Sequence, residues 1–346
     1  MKKYKYILLM IIILSIYLGI NAQEPEFRVL GKKGNVNYQS KNNGWTDIKT
    51  GDRLFKNGKI KVGGNAYLGL VHSSGKTVEI KKEGTYNISK LAKDVSSFHS
   101  TTTQRFAKFV VDEITSGNDM LTQKKYKRSM ENTGAVERAT GGDVSYTATF
   151  SSLSGSDLSQ FSALNDAIDC LIKTDKNYIR IKYPRTSYVI DDMVDFVWYK
   201  NSTISIYEFV IIDRNDNVIY STKTSDTTLQ LNLSELKLPK GMNYYWYLRN
   251  NDLKSDQYCF NWINNYDLKR LDEDIEPLLD GMTKGKDAAS LMLLASIYED
   301  ENIMNRAIDS YEEALRLEPD VDGYRTLYAR YLSRIGLDDE AIRILK

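Results

Sequence analysis

The feature that most constrains the fold is a helical pattern near the C-terminus that recurs after 34 residues. Its first copy combines small and large apolar side chains at helical spacing and ends in a proline: Leu291, Leu294, Ala295, Tyr298, Ala307, Tyr311, Ala314 and Pro319. Its second copy has Tyr328, Ala329, Leu332, Ala341 and Leu345. Small residues let helices approach closely, and large ones fill the gaps between them. The pattern predicts two helix pairs, with helices over 288–300, 303–317, 324–334 and 338–345.

This period and these residue types resemble the tetratricopeptide repeat (TPR) family. The first copy agrees with the family pattern at all eight positions named above, whereas the second has Arg325 at a position for a large apolar residue. The resemblance implies that the inner helices of residues 267–346 line a groove for another protein. It makes Ser296, Glu299, Arg330 and Arg334 candidate protein-binding residues, with ordinary exposed helix surface as their alternative role.

The N-terminus is typical of a secretory signal peptide. Lys2, Lys3 and Lys5 precede an apolar run over residues 7–20, and Ala22 supplies a small residue for cleavage. Because the run is shorter than the roughly 20 residues of a spanning helix, cleavage is favoured over an uncleaved membrane anchor. Residues 1–22 are therefore predicted to be a signal peptide, and the protein is predicted to be exported.

Residues 23–92 contain short β-type runs separated by glycines. Five strands are predicted, over 27–30, 35–39, 59–62, 66–71 and 77–80. Glycine permits the positive φ of tight turns, so this region is predicted to be a compact all-β unit.

The same region resembles the FecR-like domain, a β-rich extracytoplasmic module. The matching residues are Gly34, Val36, Trp45, Ile48, Gly51, Leu54, Gly58, Ile60, Val62, Ala66, Leu68, Leu70, Gly75, Val78 and Ile80. The resemblance implies a β domain in the periplasm or cell envelope of a Gram-negative-type bacterium. In that family the domain belongs to regulators of a cytosolic sigma factor, but only six residues precede the apolar run here. We therefore expect the domain to serve here as a binding or structural module, without the transmembrane signalling role.

The middle of the chain changes composition twice. Residues 93–157 read as a helix over 101–116 followed by a polar linker, and residues 158–176 as a short connecting helix. Residues 177–266 then give eight strand candidates, with Trp198 and Trp246 inside them. Short strands at this density predict a sandwich that resembles immunoglobulin or fibronectin-type domains in architecture. The fold class is therefore a multidomain protein of α and β parts, with two β domains and a helical C-terminal region that begins with a helix broken or kinked at Pro277.

Charge and cysteine usage limit the classes of partner. Residues 23–150 carry 21 basic and 13 acidic side chains, whereas residues 267–346 carry 11 basic and 19 acidic ones. The favoured interpretation of this charge difference is that the two ends have solvated surfaces of different composition. The alternative is that each end attracts a separate partner of opposite charge. Cys170 and Cys259 are predicted to be two separate buried thiols rather than a disulfide.

The sequence offers few groups for catalysis. His72 and His99 are the only histidines, and His72 precedes Ser73 and Ser74 at the end of a predicted strand. The segment 213–217 resembles a calcium loop in its oxygen-bearing side chains but lacks the glycine and the final acid, so a hairpin turn is favoured. We therefore predict no catalytic residue, no metal site and no cofactor.

Together these features predict a non-enzymatic, exported envelope protein that acts as a protein-binding scaffold or adaptor. Its partners would be cell-envelope proteins, with no nucleic acid, indirect membrane contact only, and any small-molecule ligand unknown. One alternative is an accessory sensor in FecR-type envelope signalling. The other is a carbohydrate or cell-wall binder, because a sandwich rich in Tyr and Trp can present aromatic side chains to a ligand, although core packing is their commoner role.

Overall fold

The computed structural model describes residues 24–41, 43–95, 101–115, 178–251, 253–282 and 287–345. The predicted signal peptide, the polar linker and the connecting helix lie outside these ranges. So do His99 and Cys170.

Two four-stranded sheets form the N-terminal β domain. The strands are β1 (Phe27–Lys33), β2 (Val36–Gln39), β3 (Thr46–Asp47), β4 (Arg53–Leu54), β5 (Lys59–Val62), β6 (Tyr67–His72), β7 (Thr77–Ile80) and β8 (Gly84–Asn87), followed by helix α1 (Ile88–Val95). The sheet orders are β4-β1-β6-β7 and β3-β2-β5-β8, with antiparallel neighbours. In β5, Ile60 and Val62 are buried while the two lysines between and before them are exposed, as a period of two requires. Both sheets and α1 share one apolar core.

The five predicted strands of this domain are all present, and those over 59–62 and 77–80 have the predicted bounds. Strands β3, β4 and β8 were not predicted. Strands β3 and β4 have only two residues each, which is too few to show alternation. Helix α1 was not predicted because it follows β8 directly, without a glycine or proline to mark the boundary.

Two sheets pack around an aromatic core in the middle β domain. The strands are β9 (Ile181–Tyr183), β10 (Ser187–Val189), β11 (Met193–Trp198), β12 (Tyr207–Ile212), β13 (Val218–Thr224), β14 (Thr228–Asn232), β15 (Asn243–Asn250), β16 (Leu253–Lys254) and β17 (Tyr258–Trp262). The larger sheet has the order β10-β17-β15-β12-β13, with β16 paired to β15, and the smaller has the order β14-β11-β9. Trp198 and Trp246 are buried between the sheets. Phe196 meets Trp246 edge to face, with ring centroids 4.9 Å apart, a favoured aromatic geometry.

Six further helices complete the described chain: α2 (Thr101–Thr115), α3 (Asn265–Gly281), α4 (Ala288–Asp300), α5 (Met304–Leu317), α6 (Asp322–Arg334) and α7 (Asp338–Leu345). The predicted bounds of α4 and α7 are confirmed. Pro277 was predicted to kink or interrupt the first of the C-terminal helices. Helix α3 continues through Pro277, so it is not interrupted there, and the kink stays a prediction. Pro277 has no N–H to donate to the backbone carbonyl of Glu273. The Glu273 side chain is exposed, so this carbonyl lies on the solvent side of the helix, where water can donate to it.

The C-terminal helices pack against both β domains. Helix α6 contacts β1, α4 contacts β6 and β7, and α5 contacts β10. Tyr324 of α6 lies over Gly31 and Gly69, which are cross-strand neighbours in β1 and β6. Its hydroxyl lies 3.0 Å from that of Tyr67 in a buried hydrogen bond. These glycines let a large ring approach the sheet backbone, and the approach joins the N-terminal domain to the helices.

The middle domain is held by charged contacts to the last helix. Arg180 donates two hydrogen bonds to Asp339, at 2.9 and 2.8 Å, and Lys182 pairs with Glu340 at 2.7 Å. The guanidinium of Arg185 donates to the carbonyl of Ile335 at 2.8 Å. Asp339 and Glu340 lie in the first turn of α7, so their carboxylates also interact favourably with the positive end of the helix dipole.

Part of the opposite charge of the two ends of the chain is neutralised by ion pairs between them. Lys33 of the basic N-terminal domain pairs with Asp320 at 2.5 Å, and Lys81 pairs with Glu318 at 2.8 Å. Both acids lie in the turn between α5 and α6. Across the described ranges, no helix combines the length and hydrophobicity that crossing a membrane requires.

Candidate functional site

The face of the helix pairs that was predicted to receive a partner is covered by helix α2 of the same chain. Helix α2 packs against α3, α4 and α6, and α4 and α6 are the two inner helices of the predicted repeats. Its buried residues are Thr103, Phe106, Ala107, Val110, Val111 and Glu113. The apolar ones belong to the same core as the repeat residues Leu291 and Leu294. The spacing of Phe106 and Val110 places them on one side of α2, which is the side that faces the repeats.

Three of the four predicted site residues form an ion network with α2. Arg334 pairs with Glu113 of α2 at 2.6 Å and with Glu299 of α4 at 2.5 Å. Burial raises the pKa of Glu299 and outweighs the opposing attraction of Arg334. Burial alone would lower the pKa of Arg334, but the attraction of Glu299 and Glu113 reverses this and raises it. Arg330 donates to the backbone carbonyl of Glu113, in the last turn of α2, where a cation is favoured by the helix dipole.

Ser296 is fully buried, and its hydroxyl donates to the carbonyl of Met292 one turn earlier in α4. The expectation that the four residues line an open groove is therefore corrected. Ser296 serves the packing of α4, while Glu299, Arg330 and Arg334 hold a segment of their own chain. Helix α2 ends at Thr115 whereas α4 begins at Ala288, so no local pattern could reveal that α2 covers α4 and α6.

His72 is surrounded by groups that could suggest acid–base chemistry. Its Nδ1 lies 2.8 Å from the hydroxyl of Ser74, and its Nε2 lies 3.4 Å from a carboxylate oxygen of Glu26. The backbone N–H of Ser74 also donates to Nδ1, at 3.1 Å. Both His72 and Ser74 are buried, and the Ser74 hydroxyl reaches the carbonyl of Val95. These contacts fix the turn between β6 and β7, and the serine is not presented to solvent.

The predicted turn at 213–217 is confirmed as a hairpin connection between β12 and β13. Asp213 accepts hydrogen bonds from the backbone N–H groups of Asn215 and Asn217 and from the Asn217 amide. Hydrogen bonds from Asn217 lower the pKa of Asp213. Asp216 has a φ of 64°, a conformation that Asp tolerates better than most residues. Among the residues described, no group of three His, Cys, Asp or Glu side chains could hold a metal ion.

A groove of about 460 Å³ lies on the larger sheet of the middle domain, on the face away from the aromatic core. We call it the outer-face groove and define it by Tyr188, Arg214, Asn243, Tyr245, Cys259 and Asn261. Strands β10, β17 and β15 form its floor, and the hairpin after β12 forms one wall. Its volume lies within the range of about 300–1,000 Å³ that small-molecule sites occupy.

Strand register arranges these side chains in two rows. The apolar row crosses four strands, because Val218 pairs with Ile212, Ile212 with Tyr245, and Tyr245 with Cys259. The polar row contains Asn243, Asn261 and Tyr188, which are also cross-strand neighbours. Directly paired residues point to the same side of a sheet, so both rows face away from the core.

The polar row keeps hydrogen-bonding capacity for a ligand. The Asn261 amide donates to the Asn243 side-chain oxygen at 2.8 Å. Arg214 is exposed, and its neighbour Asp213 is engaged in the hairpin turn. Burial raises the pKa of the Cys259 thiol to about 11, so this thiol is protonated at neutral pH.

Sequence reasoning missed this groove because residues 243–248 are aromatic or large on both faces of β15. Trp246 and Tyr244 enter the core, whereas Tyr245 lies on the outer face. The alternation of side chains along β15 shows which residues share a face, but it does not show which face is buried. A hairpin turn with an exposed arginine next to the strand was the one local signal.

No family model matches the sequence, and no curated protein is significantly similar to it.

Proposed function

We propose that this chain is a non-enzymatic, exported cell-envelope protein that acts as a scaffold or adaptor for other envelope proteins. In this proposal the N-terminal domain is FecR-like, the middle domain is immunoglobulin- or fibronectin-like, and the C-terminal helices are TPR-like. The signal-peptide composition of residues 1–22 supports export. The accessory-sensor role stays an alternative prediction, since no contact among the described residues favours it.

One observation carries the proposal. Helix α2 covers the inner face of α4 and α6. Helices α4 and α6 also contact the N-terminal domain, and α5 and α7 contact the middle domain. The helical region is therefore a connector between modules, and partner contact is assigned to the outward surfaces of the β domains instead of the predicted groove. Fixed domains lower the entropic cost of binding at two points of one partner.

Exposed apolar side chains on the β domains supply candidate contact points. Trp45 of the N-terminal domain is 43% exposed, and Val218 and Ile219 of the edge strand β13 are 61% and 37% exposed. Strand β13 pairs with β12 on one side, and no other described strand pairs with it. Its outward backbone groups can therefore accept an added strand from another protein.

Site-specific photo-crosslinking in intact cells tests this proposal. A photoreactive amino acid would replace Trp45, Ile219 or, as a buried control, Ser296. We expect one envelope protein to be crosslinked from Ile219 or Trp45 and none from Ser296. Crosslinking from Ser296 alone would place the partner in the helical groove, and a protein retained in the cytoplasm with an intact N-terminus would contradict export.

A further inference from the structure

We propose that the outer-face groove is a binding site for an acidic saccharide, a chain of pyranose rings that carries carboxylates. This inference goes beyond the scaffold function, which requires no small ligand. It rests on the two rows of side chains in the groove, on the hydrogen-bonding groups that they present, and on the charge at one end.

The two rows match the two kinds of surface on a pyranose ring. Such a ring has an apolar face of C–H groups and a rim of hydroxyls. Tyr245, with Met242 nearby at the groove edge and 42% exposed, offers apolar and aromatic surface for the C–H face. The row of Asn243, Asn261 and Tyr188 lies along one side of it and meets the hydroxyl rim.

The amide pair is suited to neighbouring hydroxyls. Because Asn261 donates to Asn243, the free groups are the NH₂ of Asn243 and the side-chain oxygen of Asn261. No described side chain occupies either group. If both amides were turned over, the pair would still present one donor and one acceptor. Each hydroxyl of a sugar both donates and accepts, so two adjacent hydroxyls can bind both amides at once.

The positive charge of the groove favours an acidic saccharide over a neutral one. Arg214 is the one charged side chain among the described residues that line the groove, and it is exposed at the hairpin wall. A guanidinium binds a carboxylate through two parallel hydrogen bonds. Asp213 and Arg214 attract each other, because the charge of Arg214 helps to lower the Asp213 pKa, but both Asp213 oxygens also accept hydrogen bonds from Asn215 and Asn217. A ligand with hydroxyls and a carboxylate therefore matches the free groups of Asn243 and Asn261 and the guanidinium of Arg214.

Titration calorimetry with the purified full chain tests the site. The probes are tetragalacturonate and its methyl ester, which has the same rings without the charge, together with sialyllactose and a muramyl disaccharide. We expect at least one acid to bind, and the galacturonate ester to bind at least about tenfold more weakly than the acid. Arg214→Ala should lower acid affinity about tenfold and remove the difference between acid and ester. Lys200→Ala, which removes an exposed positive charge outside the groove, should leave affinity unchanged.

A second variant separates hydroxyl recognition from charge. Asn243→Ala should weaken acid and ester by the same factor, and circular dichroism should show that each variant stays folded. The proposal is overturned if no acid binds at millimolar concentration, or if acid and ester bind equally. It is also overturned if tetraglutamate, with equal charge but no sugar rings, binds as tightly as tetragalacturonate, because the groove would then be a site for acidic peptides.

Discussion

Arg334 was predicted to contact a partner protein, but in the structure it belongs to a buried ion network. Its guanidinium lies between Glu113 and Glu299, and all three side chains are at least four-fifths buried. Replacing Arg334 with alanine leaves two carboxylates close together without a cation. Removing one partner of a buried ion pair typically costs about 3–5 kcal/mol. We expect Arg334→Ala to lower the free energy of unfolding by that order in urea denaturation. Arg316→Ala is the matched control, because Arg316 pairs with Glu313 on the surface and should cost about 1 kcal/mol or less.

Gly31 offers a second test at the residue scale. A Cβ at this position would lie 2.6 Å from Cγ1 of Val321 and 2.9 Å from Cε1 of Tyr324, both of them buried. Gly31→Ala should therefore destabilise the protein by about 1–3 kcal/mol through overpacking. Gly44→Ala has open space around its new methyl group and should change the melting temperature little. Equal effects of the two substitutions would mean that the close contact with Tyr324 is absent in solution.

The reactivity of Cys259 has a pH dependence that follows from its burial. The pKa of its thiol is raised by burial from the ordinary value of 9.0 to about 11. A raised thiol pKa reduces the thiolate fraction below that pH, and the thiolate is the reactive species. In a Cys170→Ser background, alkylation by iodoacetamide at pH 8 should be at least about tenfold slower than that of a free thiol, and should rise up to about pH 11. A rate that levels off near pH 9 would show an exposed thiol.

At the scale of elements, α2 is the helix on which the interpretation of the repeats depends. Phe106 is 3% exposed and packs in the core that α2 shares with the C-terminal helices. Phe106→Ala should cost about 3–5 kcal/mol, the usual range for a buried phenylalanine. Lys108→Ala, on the exposed side of the same helix, should stay within about 0.5 kcal/mol of wild type. A small effect of Phe106→Ala, measured by chemical denaturation, would mean that α2 leaves the repeats open to another protein.

The whole molecule is predicted to unfold as one cooperative unit. Three of the four tryptophans, Trp198, Trp246 and Trp262, lie in the core of the middle domain, so fluorescence follows that domain. Circular dichroism at 222 nm follows the helices. Because Arg180 and Lys182 bind Asp339 and Glu340 across the boundary, we expect the two probes to give one urea midpoint.

The variant Asp339→Ala with Glu340→Ala removes these links and should separate the two midpoints. A paired substitution of Glu313 and Asp322, which pair with Arg316 and Arg325 of their own helices, should leave the two midpoints coincident. Different midpoints in the wild type would show that the domains unfold independently.

Most strands and helices, and the order of the α and β parts, could be predicted from the sequence. Alternation in Lys59–Val62 and the helical spacing through Ala288–Asp300 were sufficient, because each element's pattern lies within a few consecutive residues. The contacts that each surface makes could be seen only in the folded molecule. Glu113 meets Arg334 across 221 residues, and Cys259 becomes a neighbour of Tyr245 through strand register. Such contacts depend on the long-range packing of the whole chain, and a local pattern carries no information about them.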